Sequence, residues 1–213
     1  MGFYTDHILP RCVDFALSRP PILELRARVT RGLSGRVLEV GFGSGLNLPY
    51  YPPEVTQILA LDPSPSALPL SAARRAASTI PLEWIAPSAE GRLPLADGAL
   101  DAVLSTFTLC TIPEIGPALR ELYRVLKPGG QLHFLEHGRS PDARVARLQD
   151  VFTPLQRRVA GGCHLNRAID VLLRDAGFCV DALQTYYMAG LKPATHMFEG
   201  VARACHKPRA AGA

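Results

Sequence analysis

The stretch Glu39-Val40-Gly41-Phe42-Gly43-Ser44-Gly45 sets glycines at alternate positions directly after a short apolar run. Glycine lets a backbone turn sharply and lets a ligand approach the main chain closely. The spacing is not that of the dinucleotide loops, because Leu46 stands where their last glycine falls. No Lys-Ser or Lys-Thr pair follows, so it is not a phosphate-cradling loop either. A plain strand-to-helix turn uses the same residues. Asp62 stands 21 residues after Gly41, at the end of the next apolar run, Ile58-Leu59-Ala60-Leu61. In a doubly wound sheet a carboxylate there accepts hydrogen bonds from ribose hydroxyls. An Asx turn or helix cap over Pro63-Ser64 is the alternative, and one side chain can serve both purposes.

Other reactive types are scattered. His137 ends a fifth apolar run beside Glu136; it is a candidate base, or equally a capping or buried hydrogen-bonded histidine. Cys12, Cys110, Cys163, Cys179 and Cys205 are odd in number and contain no C-x-x-C. They fit neither a disulfide framework nor a zinc ribbon, so small buried thiols in a reducing compartment are expected. Cys163-His164 with His196 and Cys205 matches no zinc spacing, and no metal ligand is assigned. Cys110 has no evident base partner, and Gly161-Gly162 reads as a close turn.

The elements that position these residues alternate. Apolar runs at 37–40, 58–61, 82–86, 100–105 and 131–135 are separated by helical patterns at 66–77 and 115–126. Such alternation predicts crossover units and a parallel sheet. Helices over 141–159 and 166–175 and two last strands, 178–186 and 196–204, complete about seven strands. Ahead of the sheet, 5–17 carries an apolar stripe of Ile8, Leu9, Cys12, Val13, Ala16 and Leu17, closed by Pro20-Pro21. A second helix is expected over 22–33, its arginines Arg26, Arg28 and Arg31 off the apolar side.

The glycine loop, Asp62, the stretch from Leu93 to Val103, and Leu119 to Gly130 with its Lys127-Pro128-Gly129-Gly130 turn together resemble class I S-adenosylmethionine-dependent methyltransferases. The resemblance implies an α/β fold, a single Rossmann-like seven-stranded mostly parallel sheet with helices on both faces. It implies S-adenosylmethionine as cofactor, with contacts from Tyr4, Glu39, Gly41, Phe42, Gly43, Ser44, Gly45, Asp62, Pro63, Ser88, Ala89, Glu90 and Thr106. The glycine loop would face the methionine part, Asp62 the ribose, and Ser88-Ala89-Glu90 the adenine. Relatives often carry Asp-Ala at that last loop; here the Ser88 hydroxyl and the Ala89 N–H would take over. Residues 1–34 are expected as a helical segment forming a lid, or else packing on the sheet flank; 35–205 as the catalytic domain; 206–213 as a flexible tail.

Thr106 to Thr111, Phe134 to His137 and Gly161 to Arg167 resemble the methyltransferase-like group that includes thiol S-methyltransferases, as does the segment from Phe3-Tyr4 to Pro10. A small-molecule acceptor such as a thiol is therefore expected, with His137 as catalytic candidate. Quinone or phospholipid methyl transfer is the alternative, and a cofactor-binding module without activity a third. The net charge of +4 comes from scattered arginines, so no nucleic-acid partner is expected. With 47% hydrophobic and 20% charged residues, the chain reads as globular rather than disordered. Neither a signal peptide nor a spanning segment is evident, which predicts a cytoplasmic protein with at most peripheral membrane contact; the oligomeric state is open.

Overall fold

Leucine- and valine-rich runs bounded by glycine or aspartate become the strands of one sheet in the computed structural model, which describes residues 4–87 and 91–205. The strands are β1 (Gly35–Val40), β2 (Val55–Leu61), β3 (Leu82–Ile85), β4 (Leu100–Thr106), β5 (Leu126–His137), β6 (Phe178–Tyr187) and β7 (His196–Ala204). Their order is β3-β2-β1-β4-β5-β7-β6. β1 lies parallel between β2 and β4, while β7 runs antiparallel to both β5 and β6. The chain moves outward on one side of β1 and then on the other. The loops leaving β1 and β4 therefore flank the crevice where ligands bind in open α/β sheets.

Val37 to Val40 are all buried, and successive side chains of β1 point to opposite faces of the sheet. Leu38 and Val40 join a core beneath α5 (Ile115–Val125) and α7 (Ile169–Asp175), while Val37 joins a second core with Leu25 and Val29 of α2 (Pro20–Val29). Helices thus cover both faces of the sheet, as expected. Glu39 falls between these apolar neighbours and is 1% exposed.

Several details differ from the sequence expectation. Pro20 opens α2 instead of closing the preceding helix, because proline at the first turn gives up only an N–H that would be unpaired anyway. The N-terminal helix starts as a π-helical turn, Tyr4–Ile8, continued by α1 (Leu9–Leu17). The pattern at 66–77 divides into α3 (Ala67–Leu70) and α4 (Ala72–Ala77). Lys127-Pro128-Gly129-Gly130 bulges out of a continuous β5, since Leu100 pairs with Leu126 and Ala102 already pairs with Gln131. α6 (Ala143–Val159) is capped by Asp142, which accepts from the Arg144 N–H at 2.8 Å. A short helix, α8 (Lys192–Thr195), precedes β7.

The expectation of unpaired cysteines is corrected at one place. Cys179 and Cys205 form a disulfide, with Cα atoms 5.6 Å apart. The pairing of Phe178 with Ala204 brings them together from 26 residues apart, a proximity that linear spacing does not reveal. Among the described residues, no helix is long and apolar enough to cross a membrane.

Candidate functional site

Gly41, Gly43 and Gly45 all have positive φ, at 72°, 55° and 75°, a conformation that side-chain-bearing residues rarely adopt. They serve different purposes. A Cβ on Gly41 would lie 2.0 Å from the Thr108 hydroxyl, so the glycine loop packs directly on the segment that leaves β4. A Cβ on Gly43 would meet nothing closer than 3.9 Å, which leaves an open cradle over the main chain. The Gly43 N–H donates to Asp62 at 2.7 Å, and the Ser64 N–H donates to the other carboxylate oxygen at 2.8 Å. Asp62 therefore makes the Asx turn and also ties down the loop. A carboxylate has about four acceptor positions, so capacity remains for a ligand's hydroxyls. Burial pushes its pKa up, against the two backbone N–H bonds.

Beneath the loop lies a buried polar network. Glu39 accepts from Asn47 Nδ2 at 2.8 Å and from the Tyr51 hydroxyl at 2.6 Å. Desolvation raises its pKa to about 7 despite these bonds. Arg26 Nη1 donates to Asn47 Oδ1 at 2.8 Å and to the Thr106 hydroxyl at 2.9 Å. Its burial corrects the expectation for Arg26, whereas Arg28 and Arg31 are exposed. Four percent exposed, the Arg26 guanidinium is lowered to about 10 by desolvation and sits 5.5 Å from the Phe107 ring centre. Glu39 and Thr106 thus brace the loop from below. The Phe42 side chain is also turned into the core, edge-on to Trp84 with ring centres 5.2 Å apart, leaving its main chain in the loop.

α1 reaches the same loop from above. Asp14 accepts from the Ser44 hydroxyl at 2.5 Å and from Arg74 at 3.0 Å, and Arg74 also donates to the Ser44 carbonyl at 2.9 Å. At the other end of this segment, the half-exposed Tyr4 donates to the Val159 carbonyl at 2.8 Å. No residue of α1 is buried, so its apolar stripe is not a core stripe. Pro63 is exposed beside Asp62. Ser88, Ala89 and Glu90 lie outside the described residues, as do Phe3 and the tail from 206 onward.

The segment leaving β4 is clasped by two others. Phe107 has φ of 56°, the one positive value among the described non-glycine residues, and its ring meets that of His137 edge-on at 5.3 Å. Glu136, fully buried, accepts from the Ser105 hydroxyl at 2.7 Å and from the N–H groups of Thr108, Leu109 and Cys110 at 3.0, 3.0 and 3.2 Å. From the loop after α6, the His164 N–H donates to the Cys110 carbonyl at 2.8 Å. Arg167 donates to the carbonyls of Leu109 and Ile112. This brings Cys163 to Cys110, with sulfurs 3.7 Å apart, and to His137 Nδ1 at 3.9 Å. The sulfur–sulfur hydrogen bond, with His137 adding to it, pulls the Cys163 thiol down against its burial and holds Cys110 above the usual thiol range. Sequence reasoning kept only His137 of this group as a candidate and set Cys110 and Cys163 aside. Cys110, His137 and Cys163 come from three segments, a convergence that only the fold creates.

With this geometry, residues 38–134 match a family described as a methyltransferase domain. The match takes in a little under half of the chain. The chain is 37% identical over 153 residues to thiol S-methyltransferase TMT1B of Homo sapiens, covering 69% of this chain and 62% of that relative. It thus spans about three fifths of the length of that relative. It is also 37% identical, over 75 residues, to the mitochondrial 2-methoxy-6-polyprenyl-1,4-benzoquinol methylase of Mus musculus, covering 35% of this chain and 23% of that one. In fold it is similar to a SAM-dependent methyltransferase from Aquifex aeolicus, with a TM-score of 0.62 at 22% identity, covering 92% of this chain and 98% of the other. Within the matched residues the glycine loop fits S-adenosylmethionine: an open cradle at Gly43 faces a carboxylate with unused acceptor positions.

Proposed function

We propose that the protein transfers the methyl group of S-adenosylmethionine to the sulfur of a small, largely apolar thiol. The observation that carries this reading is the clasp itself. The stretches 106–111, 136–137 and 161–167, which resemble the thiol S-methyltransferase group, converge beside the glycine loop. The likeness to the thiol S-methyltransferase takes in 153 residues, that to the quinol methylase 75. Bound S-adenosylmethionine supplies a methyl carbon on a sulfonium, activated for in-line displacement. Alignment and exclusion of water are then most of what the protein must provide. A thiol is a strong nucleophile once ionised and needs little further help. Incubating the full chain with labelled cofactor and a panel of thiols, phenols, amines and quinols tests this. Thioethers are expected; methylation of quinols or amines alone sinks it. A quinol acceptor is the second reading, favoured by the exposed apolar residues Leu148, Val151, Phe152 and Leu155 on α6.

In this reading Asp62 receives the ribose diol, the glycine loop faces the methionine part, and His137 stands at the acceptor side. Asp62→Ala is expected to weaken cofactor binding by ~1.5–3 kcal/mol, the scale of lost charge-assisted hydrogen bonds. Equal affinities by titration calorimetry would remove Asp62 from the site.

The N-terminal helix acts here as a lid. Asp14 joins it to the glycine loop, and Tyr4 joins it to the end of α6. Deleting residues 1–18 should lower turnover ~10²-fold or more, because an open site admits water and loses alignment. The melting temperature should fall by only a few degrees, since α1 buries no residue. A truncated protein with full turnover would end the lid assignment.

A further inference from the structure

Cys110, His137 and Cys163 each offer one donor atom, and these atoms all lie within 4.8 Å of one another. We infer that they form a three-ligand site for a thiophilic four-coordinate cation, zinc above all, whose fourth position takes the sulfur of the acceptor thiol. Tetrahedral zinc with two sulfurs at ~2.3 Å holds those sulfurs ~3.8 Å apart. The observed separation is 3.7 Å, and His137 Nδ1 lies 3.9 Å from Cys163 Sγ. Two thiolates and an imidazole are a soft donor set that selects zinc or copper(I) over magnesium or calcium.

The ligands are also held before any ion arrives. Both cysteines are buried, and the Cys110 main chain is fixed at its N–H by Glu136 and at its carbonyl by His164. Such outer contacts orient ligands and support affinity. Three protein ligands leave a vacant position, the pattern of reactive rather than structural zinc sites. His137 is half-buried where both cysteines are buried, so the open side lies toward His137 and Phe107. Thr108, two residues before Cys110, packs on Gly41, which sets the cluster next to the glycine loop. A thiol R–SH entering the fourth position binds through sulfur as the thiolate and releases its proton to solvent. This last element rests on the thiol reading above; the metal ligands do not.

The test uses the full chain, purified without oxygen and with the Cys179–Cys205 disulfide left intact, and Zn2+ or Co2+ as the only additions. One equivalent of Zn2+ should bind in competition with a chromogenic chelator. Co2+ should give sulfur-to-metal charge-transfer absorption and the intense visible bands of four-coordination. Cys110→Ser and Cys163→Ser should each weaken binding ~10²-fold or more, and Cys12→Ser on the exposed face of α1 should leave it unchanged. Circular dichroism establishes that each variant is folded; His137→Gln provides a third ligand variant should a cysteine variant unfold. Adding a small thiol, without S-adenosylmethionine, should strengthen the charge-transfer band, and the matching alcohol should not. Absence of stoichiometric binding, or equal binding by the folded cysteine variants, overturns the site. A cobalt spectrum indifferent to thiols overturns the fourth-ligand assignment. Recovery of a Cys110–Cys163 disulfide with no metal bound would transfer the pair to redox chemistry and likewise overturn it. Intact metal binding with no thioether in the acceptor panel sinks the thiol reading while the three-ligand site stands.

Discussion

Gly43→Val is expected to lower S-adenosylmethionine affinity at least ~10³-fold, equivalent to ~4 kcal/mol, in a protein that remains folded. Gly43 has φ of 55°, so a branched side chain there adds backbone strain of order 1–3 kcal/mol. For a chain of this size that corresponds to a fall of roughly 2–12 °C in melting temperature. The steric effect falls on the ligand instead of the protein. The nearest protein atoms to a new Cβ are the Gly41 carbonyl at 3.9 Å and Asp62 Oδ2 at 4.0 Å. The space it fills is the cradle over the main chain. Gly41→Val is the contrasting variant, since its Cβ would overlap the Thr108 hydroxyl and so disturb packing directly. Calorimetric titration beside thermal melts separates the two. A Gly43→Val protein with normal affinity would reduce the loop to a turn.

Much of this was legible in the sequence, for identifiable reasons. Apolar runs of a few residues ending in glycine or aspartate have few ways to be anything but strands of a parallel sheet. All seven appear, with ends displaced by a few residues. Local signals did not carry the boundary at Pro20, because proline both stops one helix and starts the next. The burial of Arg26 was hidden because a charged side chain on a helix reads as solvated unless its partners are known. Those partners, Asn47 and Thr106, lie 21 and 80 residues away. Cys110, His137 and Cys163 were each visible singly, but their spacings match no metal pattern because the sheet, not a local loop, brings them together. The disulfide between Cys179 and Cys205 escaped for the same reason. Glu136 was legible as a residue at a strand end beside a candidate base. What it does became apparent only when the N–H groups it receives were seen.

That arrangement sets the second large effect. Glu136→Ala removes the acceptor for the N–H groups of Thr108, Leu109 and Cys110 and for the Ser105 hydroxyl. Leaving a buried donor unpaired costs ~1–3 kcal/mol. Removing a carboxylate whose burial is itself unfavourable, as its raised pKa indicates, offsets part of the loss. A net destabilisation of ~3–5 kcal/mol is expected in urea unfolding, with no change in slope if both states keep their compactness. Glu136→Gln should behave differently. Its carbonyl oxygen can occupy the Oε1 position and still receive Ser105, Thr108 and Leu109. Only the Cys110 N–H, which Oε2 accepts at 3.2 Å, then faces an amide nitrogen. The glutamine variant should therefore lose only ~1–2 kcal/mol, with the clearest rise in amide exchange at Cys110, whereas the alanine variant should lose protection across 108–110. Turnover should follow the same order, because this segment links the glycine loop, through Thr108 against Gly41, to His137, through Phe107. If alanine proved as well tolerated as glutamine, the carboxylate would not be what holds the segment, and the clasp would have to rest on Arg167 and His164 instead.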